Sequence, residues 1–150
     1  MQLIKTKETD INELTRISIE AFDSDVAVGA ASAGGPPKYD STQFHQEMMR
    51  NNNIYTAIVD EEIVGGAIVF VDPKNSAVLY IGRIFIDPTH FRKGYGIKIM
   101  ELLESIDSNI RVLKLDTPIW NVRTNRFYQK LGYHESYRDQ EFVYYEKIVN

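Results

Sequence analysis

No cysteine occurs anywhere in the 150 residues. That excludes disulfides, thiolate nucleophiles and cysteine metal sites, and it fits the reducing conditions of the cytoplasm. Long apolar runs are also missing. The longest, Ile63 to Val71, falls far short of the roughly 20 residues a membrane helix needs. The opening MQLIKTKETD has no basic start followed by an apolar core, so no secretory signal and no membrane partner is expected. Positive charge is not in excess: 17 Lys and Arg stand against 21 Asp and Glu, a net charge of -4. General nucleic-acid binding, which needs a concentrated basic face, is therefore not expected. Internal repeats, low-complexity tails and domain linkers are likewise absent, and the length suits one domain, residues 1–150.

What is present reads as a soluble mixed fold, with 43% hydrophobic and 25% charged residues. QLIK is a short strand. Asp10 and Glu13 have the spacing of a capping box, and Ile11, Leu14, Ile17, Ala21 and Phe22 follow at helical intervals. Ser41 can cap a short helix carrying Phe44 and Met48. NIYTAIVD and IVGGAIVFVD predict two strands, and AVLYIGRIFID a fourth. A helix from Gly94 to Glu104, the strand RVLKLD, a helix in NVRTNRFYQKLG closed by Gly132, and a last strand EFVYYEKI complete the order. Three hairpin-type strands followed by alternating strand and helix predict a mixed sheet of six or seven strands with about four helices on both faces.

One stretch raises a question of chemistry. IFIDPTHFRKGYGIKIM leaves a strand at Asp87-Pro88, passes Gly94-x-Gly96 and enters a helix, with Arg83, His90, Arg92, Lys93 and Lys98 around the glycines. A P-loop is excluded by spacing, and Ile99 stands where a dinucleotide fingerprint has its third glycine. A glycine turn before a helix start still suits phosphate, because the first helical N–H groups lack partners and the helix dipole favours an anion there. A plain helix start reads the same pattern.

A second motif decides between them. WNVRTNRFYQKLGY places Asn121 seven positions before Tyr128, followed by Lys130, Gly132 and Tyr133. With the glycine turn, this resembles the GNAT superfamily of N-acetyltransferases, over about Ile84 to Tyr133. The family carries Gln/Arg-x-x-Gly-x-Gly/Ala after its fourth strand, then Asn and Tyr around a later helix ending Tyr-x-Lys-x-Gly-Phe. Phe91 stands here at the Gln/Arg position, and Arg92 and Lys93 are candidates for compensating charge.

The resemblance implies a mostly antiparallel sheet splayed between strands 4 and 5. It also implies acetyl-coenzyme A as co-substrate and no metal. Ile84, Phe85 and Ile86 would run beside pantetheine, and Phe91, Arg92, Lys93, Gly94, Tyr95, Gly96 and Ile97 would hold the pyrophosphate. Asn121 would bond the cofactor arm, although Asn also caps the helix that starts there. Tyr128 would protonate the departing thiolate. Asp116, ending the fifth strand, is a candidate base, with a water relay as the alternative. The irregular segment from Ala27 to Ser41 falls where the acceptor site is shaped, and Tyr39, Asp40 and Trp120 are expected to bind an amine. The expected partner is a small-molecule amine, or alternatively a peptide amine. A homodimer and a non-catalytic acyl-coenzyme A sensor are also compatible with the pattern.

Overall fold

In this computed structural model, residues 1–149 are described. Seven strands, β1 (Gln2–Lys5), β2 (Ile54–Val59), β3 (Glu62–Asp72), β4 (Asn75–Ile86), β5 (Val112–Pro118), β6 (His134–Arg138) and β7 (Phe142–Ile148), form one sheet. Their order is β1-β2-β3-β4-β5-β7-β6. All neighbours are antiparallel except β4 and β5. Helices α1 (Ile11–Asp23) and α2 (Thr42–Arg50) cover one face, burying Leu14, Ile17 and Ala21 against Ile54, Ile68 and Phe85. Helices α3 (Tyr95–Glu104) and α4 (Val122–Lys130) lie with the other core, which holds Ile99, Met100, Leu103 and Tyr128 with Leu79, Leu113 and Leu115.

The sequence expectations hold for the strand and helix order, with differences at three places. The carboxylate of Asp10 does not cap α1. It accepts instead from the Lys7 N–H at 3.0 Å and from Thr56 Oγ1, while Glu13 pairs with Arg16. Ser41 does cap α2, its Oγ accepting the Phe44 N–H at 3.0 Å. Ser24–Val28, whose last two residues open the segment read as irregular, forms a short 3-10 segment continuing from α1.

The third difference sets up the site. Ile68 pairs with Arg83 but Val69 with Ile81, so Gly82 is an extra residue, a bulge in β4. Side chains alternate along a strand, so one inserted residue exchanges the faces beyond it. Ile81 packs with the α3/α4 core, yet Phe85 joins the α1/α2 core, and Ile84 and Ile86 turn to the α3/α4 side. Arg83 shares the face of Phe85 and lies over the ring of Phe44 at 4.6 Å. It is therefore not part of the basic cluster around Gly94, where its position in the sequence had placed it. Gly66 of β3 makes room for this arrangement: a Cβ there would lie 2.9 Å from the Phe85 ring.

Candidate active site

The parallel pairing of β4 and β5 covers only Val78–Tyr80 against Val112–Lys114. Beyond it the two strands part, and Ile81 to Ile86 have no partner on the β5 side, whereas β5 stays paired with β7 as far as Pro118. The sheet thus contains an open seam along the second half of β4. Backbone groups of a strand edge can pair with any extended chain of amides laid beside it.

At the end of the seam the chain turns on Asp87. Its Oδ1 accepts from the Thr89 N–H at 3.0 Å and the Thr89 hydroxyl at 2.9 Å, and its Oδ2 accepts from Arg16 of α1 at 2.9 Å. Burial pushes the Asp87 carboxyl up, but these bonds outweigh it and hold its pKa below the usual range. The predicted phosphate turn follows. Arg92 (φ 68°) and Gly94 (φ 76°) are both left-handed. Among the described residues, none of the N–H groups from Arg92 to Ile97 has a protein acceptor, and the first bonded one is Lys98, to the Gly94 carbonyl at 3.1 Å. Successive free N–H groups at a helix start form a concave anion site. A Cβ on Gly94 would meet nothing within 4 Å, so the cradle is open on that side. On Gly96 it would come within 3.3 Å of Phe127, which fixes how closely α3 and α4 approach. The exposed side chains of Arg92 and Lys93 flank the turn. Lys93 also donates to His90 Nδ1 at 3.2 Å.

Across the seam stand the α4 residues. Asn121 is buried, and its Oδ1 accepts the Thr124 N–H at 3.1 Å, so it caps α4 and, among the described residues, its amide nitrogen has no protein partner. Tyr128 is buried among Phe127, Tyr133 and Tyr145. Its hydroxyl has no protein partner among the described residues and is not sealed off as that of Tyr133 is. Burial, and next the charge of Asp116, push the Tyr128 hydroxyl above its ordinary pKa. Asp116 is exposed on β5, and its carboxyl is raised by partial desolvation and then by the charge of Asp139.

The segment between α1 and α2 is docked at several points. Ser18 donates to the Tyr39 carbonyl at 2.8 Å, Tyr39 donates its hydroxyl proton to Asp23 at 2.8 Å, and Arg83 donates to the Pro37 carbonyl at 2.6 Å. The Tyr39 hydroxyl is thus committed within the protein, while Asp40 stays exposed. Trp120, 43% exposed, lies against Gly29 at the other end of this segment and lines a cleft of about 450 Å³ with Glu141 and Phe142.

The sequence between residues 11 and 133 matches the model of the acetyltransferase (GNAT) family. The chain belongs to that family. GNAT acetyltransferases are enzymes that transfer acyl groups from acetyl-coenzyme A. No curated protein matches the sequence. Solved structures share the fold across nearly the whole chain. PaiA N-acetyltransferase from Thermoplasma acidophilum, in complex with coenzyme A, is 18% identical with a TM-score of 0.82, covering 99% of this chain and 98% of that one. An acetyltransferase from Thermus thermophilus is 16% identical with a TM-score of 0.80, covering 99% and 96%. A GNAT-family acetyltransferase from Listeria monocytogenes is 14% identical with a TM-score of 0.78, covering 99% and 94%.

In this GNAT domain the predicted turn, seam and α4 residues come together at one end of the sheet. Tyr39 instead ties the end of the α1–α2 segment to α1, and Trp120 lies against its start at Gly29. Sequence reasoning missed Arg123. Its guanidinium lies over the Phe91 ring at 5.3 Å and donates to Asp25 at 2.7 Å, joining the phosphate turn, α4 and the α1–α2 segment. The only sequence signal for it was its place two residues after Asn121. It sets a cation beside the position where the family carries Gln or Arg.

Proposed function

We propose that this protein transfers the acetyl group of acetyl-coenzyme A directly to the primary amine of a small molecule. The observation that carries this reading is the open seam along β4 leading into six consecutive free N–H groups. An extended amide chain fits beside Ile84, Phe85 and Ile86, and a pyrophosphate fits the turn of Phe91, Arg92, Lys93, Gly94, Tyr95, Gly96 and Ile97. When bound, acetyl-coenzyme A supplies a thioester whose acetyl group passes to the amine while the thiol leaves.

The residues of the chain then divide the work. Backbone N–H groups near Ile86 polarise the carbonyl, as donors aimed at developing charge do. Asn121 offers its free amide nitrogen to the donor's arm while capping α4. Tyr128 keeps its proton throughout the neutral range and gives it, or a strong hydrogen bond, to the departing sulfur. Asp116 takes the proton released by the amine, directly or through water. Asp40 and the face of Trp120 contact the acceptor, and Tyr39 holds the segment that carries Asp40. The docking of that segment supports a small amine over a peptide, which needs an open groove.

The test combines binding and turnover. Acetyl-coenzyme A at about 100 times its dissociation constant should stabilise the fold by roughly 2.7 kcal/mol. A panel of amines scored by release of free thiol should identify an acceptor. No thermal stabilisation at millimolar cofactor would overturn the reading. Stabilisation without thiol release from any amine would favour a sensor.

A further inference from the structure

Arg83 is a cation held over the Phe44 ring with no anion beside it among the described residues. It is half-buried on the α1/α2 face of β4, and among the described residues no ion pair includes it. Its Nη2 has only the neutral Pro37 carbonyl, and its Nη1 is buried with no hydrogen-bond partner. Beside it is His45 of α2, fully buried, whose ring lies 5.5 Å from that of Phe44 and 6.2 Å from that of Phe85. His45 Nδ1 is bonded to Thr15 Oγ1 at 2.8 Å, and Nε2 is buried with no partner. His45 has two neutral tautomers, and the subsite requires the one in which the Thr15 hydroxyl donates to Nδ1 and the ring proton is on Nε2. In that tautomer both orphaned atoms are N–H donors.

Burying an unpaired cation and an unmet donor is costly, and such groups are normally compensated. Here two of them flank Phe44, beneath the Pro37–Tyr39 part of the segment between α1 and α2. The element missing from this arrangement is an anion. Aromatic walls and a few donors suit a planar, singly charged carboxylate, which guanidinium groups bind well. We propose that Arg83 and His45 form a subsite for a carboxylate carried by the acceptor, so that the amine acetylated here belongs to an amino acid or a similar aminocarboxylic acid. The carboxylate would displace the Pro37 carbonyl from Arg83, and the segment above would adjust around the bound acceptor. This inference rests on the acetyltransferase reading for the identity of the acceptor, and on the two orphaned donors for the subsite.

The experiment compares amino acids with the amines left when their carboxyl group is removed. With acetyl-coenzyme A saturating, kcat/KM from thiol release should favour the acid of each pair by about 10- to 100-fold, as for a charge-assisted hydrogen bond. Arg83→Gln should bring that ratio close to one, and Arg83→Lys should keep part of it. Calorimetric titration of N-acetyl amino acids into the coenzyme A complex gives a second readout that needs no turnover, and their binding should be lost in Arg83→Gln. If Arg83→Gln does not fold, the wild-type ratio and the Arg83→Lys titration decide. Thiol release without preference for the acid, or a preference that survives Arg83→Gln, overturns the subsite and leaves the acetyltransferase reading standing. Arg83-dependent binding of N-acetyl amino acids without thiol release from any amine keeps the subsite and overturns the catalytic reading.

Discussion

The turn from Phe91 to Ile97 and the segment between α1 and α2 are both irregular, but they are built in opposite ways. The turn leaves its backbone N–H groups unpartnered and depends on left-handed geometry at Arg92 and Gly94. The α1–α2 segment is tied down through side chains: Ser18, Asp23 and Arg83 each hold one point of it. A ligand common to a whole family can be read by backbone, which is insensitive to most substitutions. A ligand particular to one member is read by side chains. The two constructions therefore suggest which half of the reaction each region serves.

Tyr128, in the α3/α4 core, carries the largest expected effect. Tyr128→Phe removes one oxygen while keeping the ring packed among Phe127, Tyr133 and Tyr145. Turnover should fall roughly 100-fold, at the low end for general acid catalysis, because a hydroxyl with a raised pKa is a weak acid. Cofactor affinity by calorimetry should hardly change. A joint loss of affinity and cooperative unfolding would show the hydroxyl to be structural and would remove the distinction between the regions.

The second effect is on stability and belongs to the α1–α2 side. Burial, and next the charge of Arg83, push His45 from the ordinary 6.5 down to about 4. The unfolded chain takes up this proton near pH 6.5, whereas the folded ring resists until about 4. Stability should therefore fall as pH drops through that window and level off below it, by roughly 3 kcal/mol in all. Thermal melts from about pH 7 to about pH 4 should show this loss, and His45→Gln should flatten it. An unaltered pH profile in the variant would assign the acid sensitivity elsewhere.

The smallest effect tests the separation most sharply. Arg123 touches Phe91 of the turn and Asp25 of the segment. Arg123→Ala should weaken acetyl-coenzyme A binding about tenfold, the value of one charge-assisted contact. Arg92→Ala should cost less, since that residue contributes through its backbone. Calorimetry at two salt concentrations distinguishes them. If Arg92→Ala is the worse of the two, the turn binds through side-chain charge and the contrast with the α1–α2 segment fails.

Most of the fold was legible because its helices bury one face and its central strands bury nearly continuous apolar runs. Apolar runs bounded by turns marked β2, β3 and β4, and helical spacing marked α1 and α3. β6 was left open because His134 to Arg138 are exposed throughout, so no buried face marks them. Its pairing with β7 alone makes it a strand. The site was legible where glycine and the Asn121–Tyr128 spacing record backbone demands. Arg83, His45 and Arg123 were not, because their roles depend on which face they reach. For Arg83, proximity in the sequence to Gly94 was misleading, since the bulge at Gly82 turns it to the opposite face.

That bulge makes β4 tolerant of altered letters and intolerant of altered length. Conservative substitutions between Asn75 and Gly82 leave every later residue on its side of the sheet. Deleting one codon there would erase the extra residue and turn Arg83 and Phe85 toward α3 and Ile84 and Ile86 toward α2, exchanging the linings of the two faces in one step. For anyone comparing, transplanting or redesigning this strand, the quantity to preserve is its residue count.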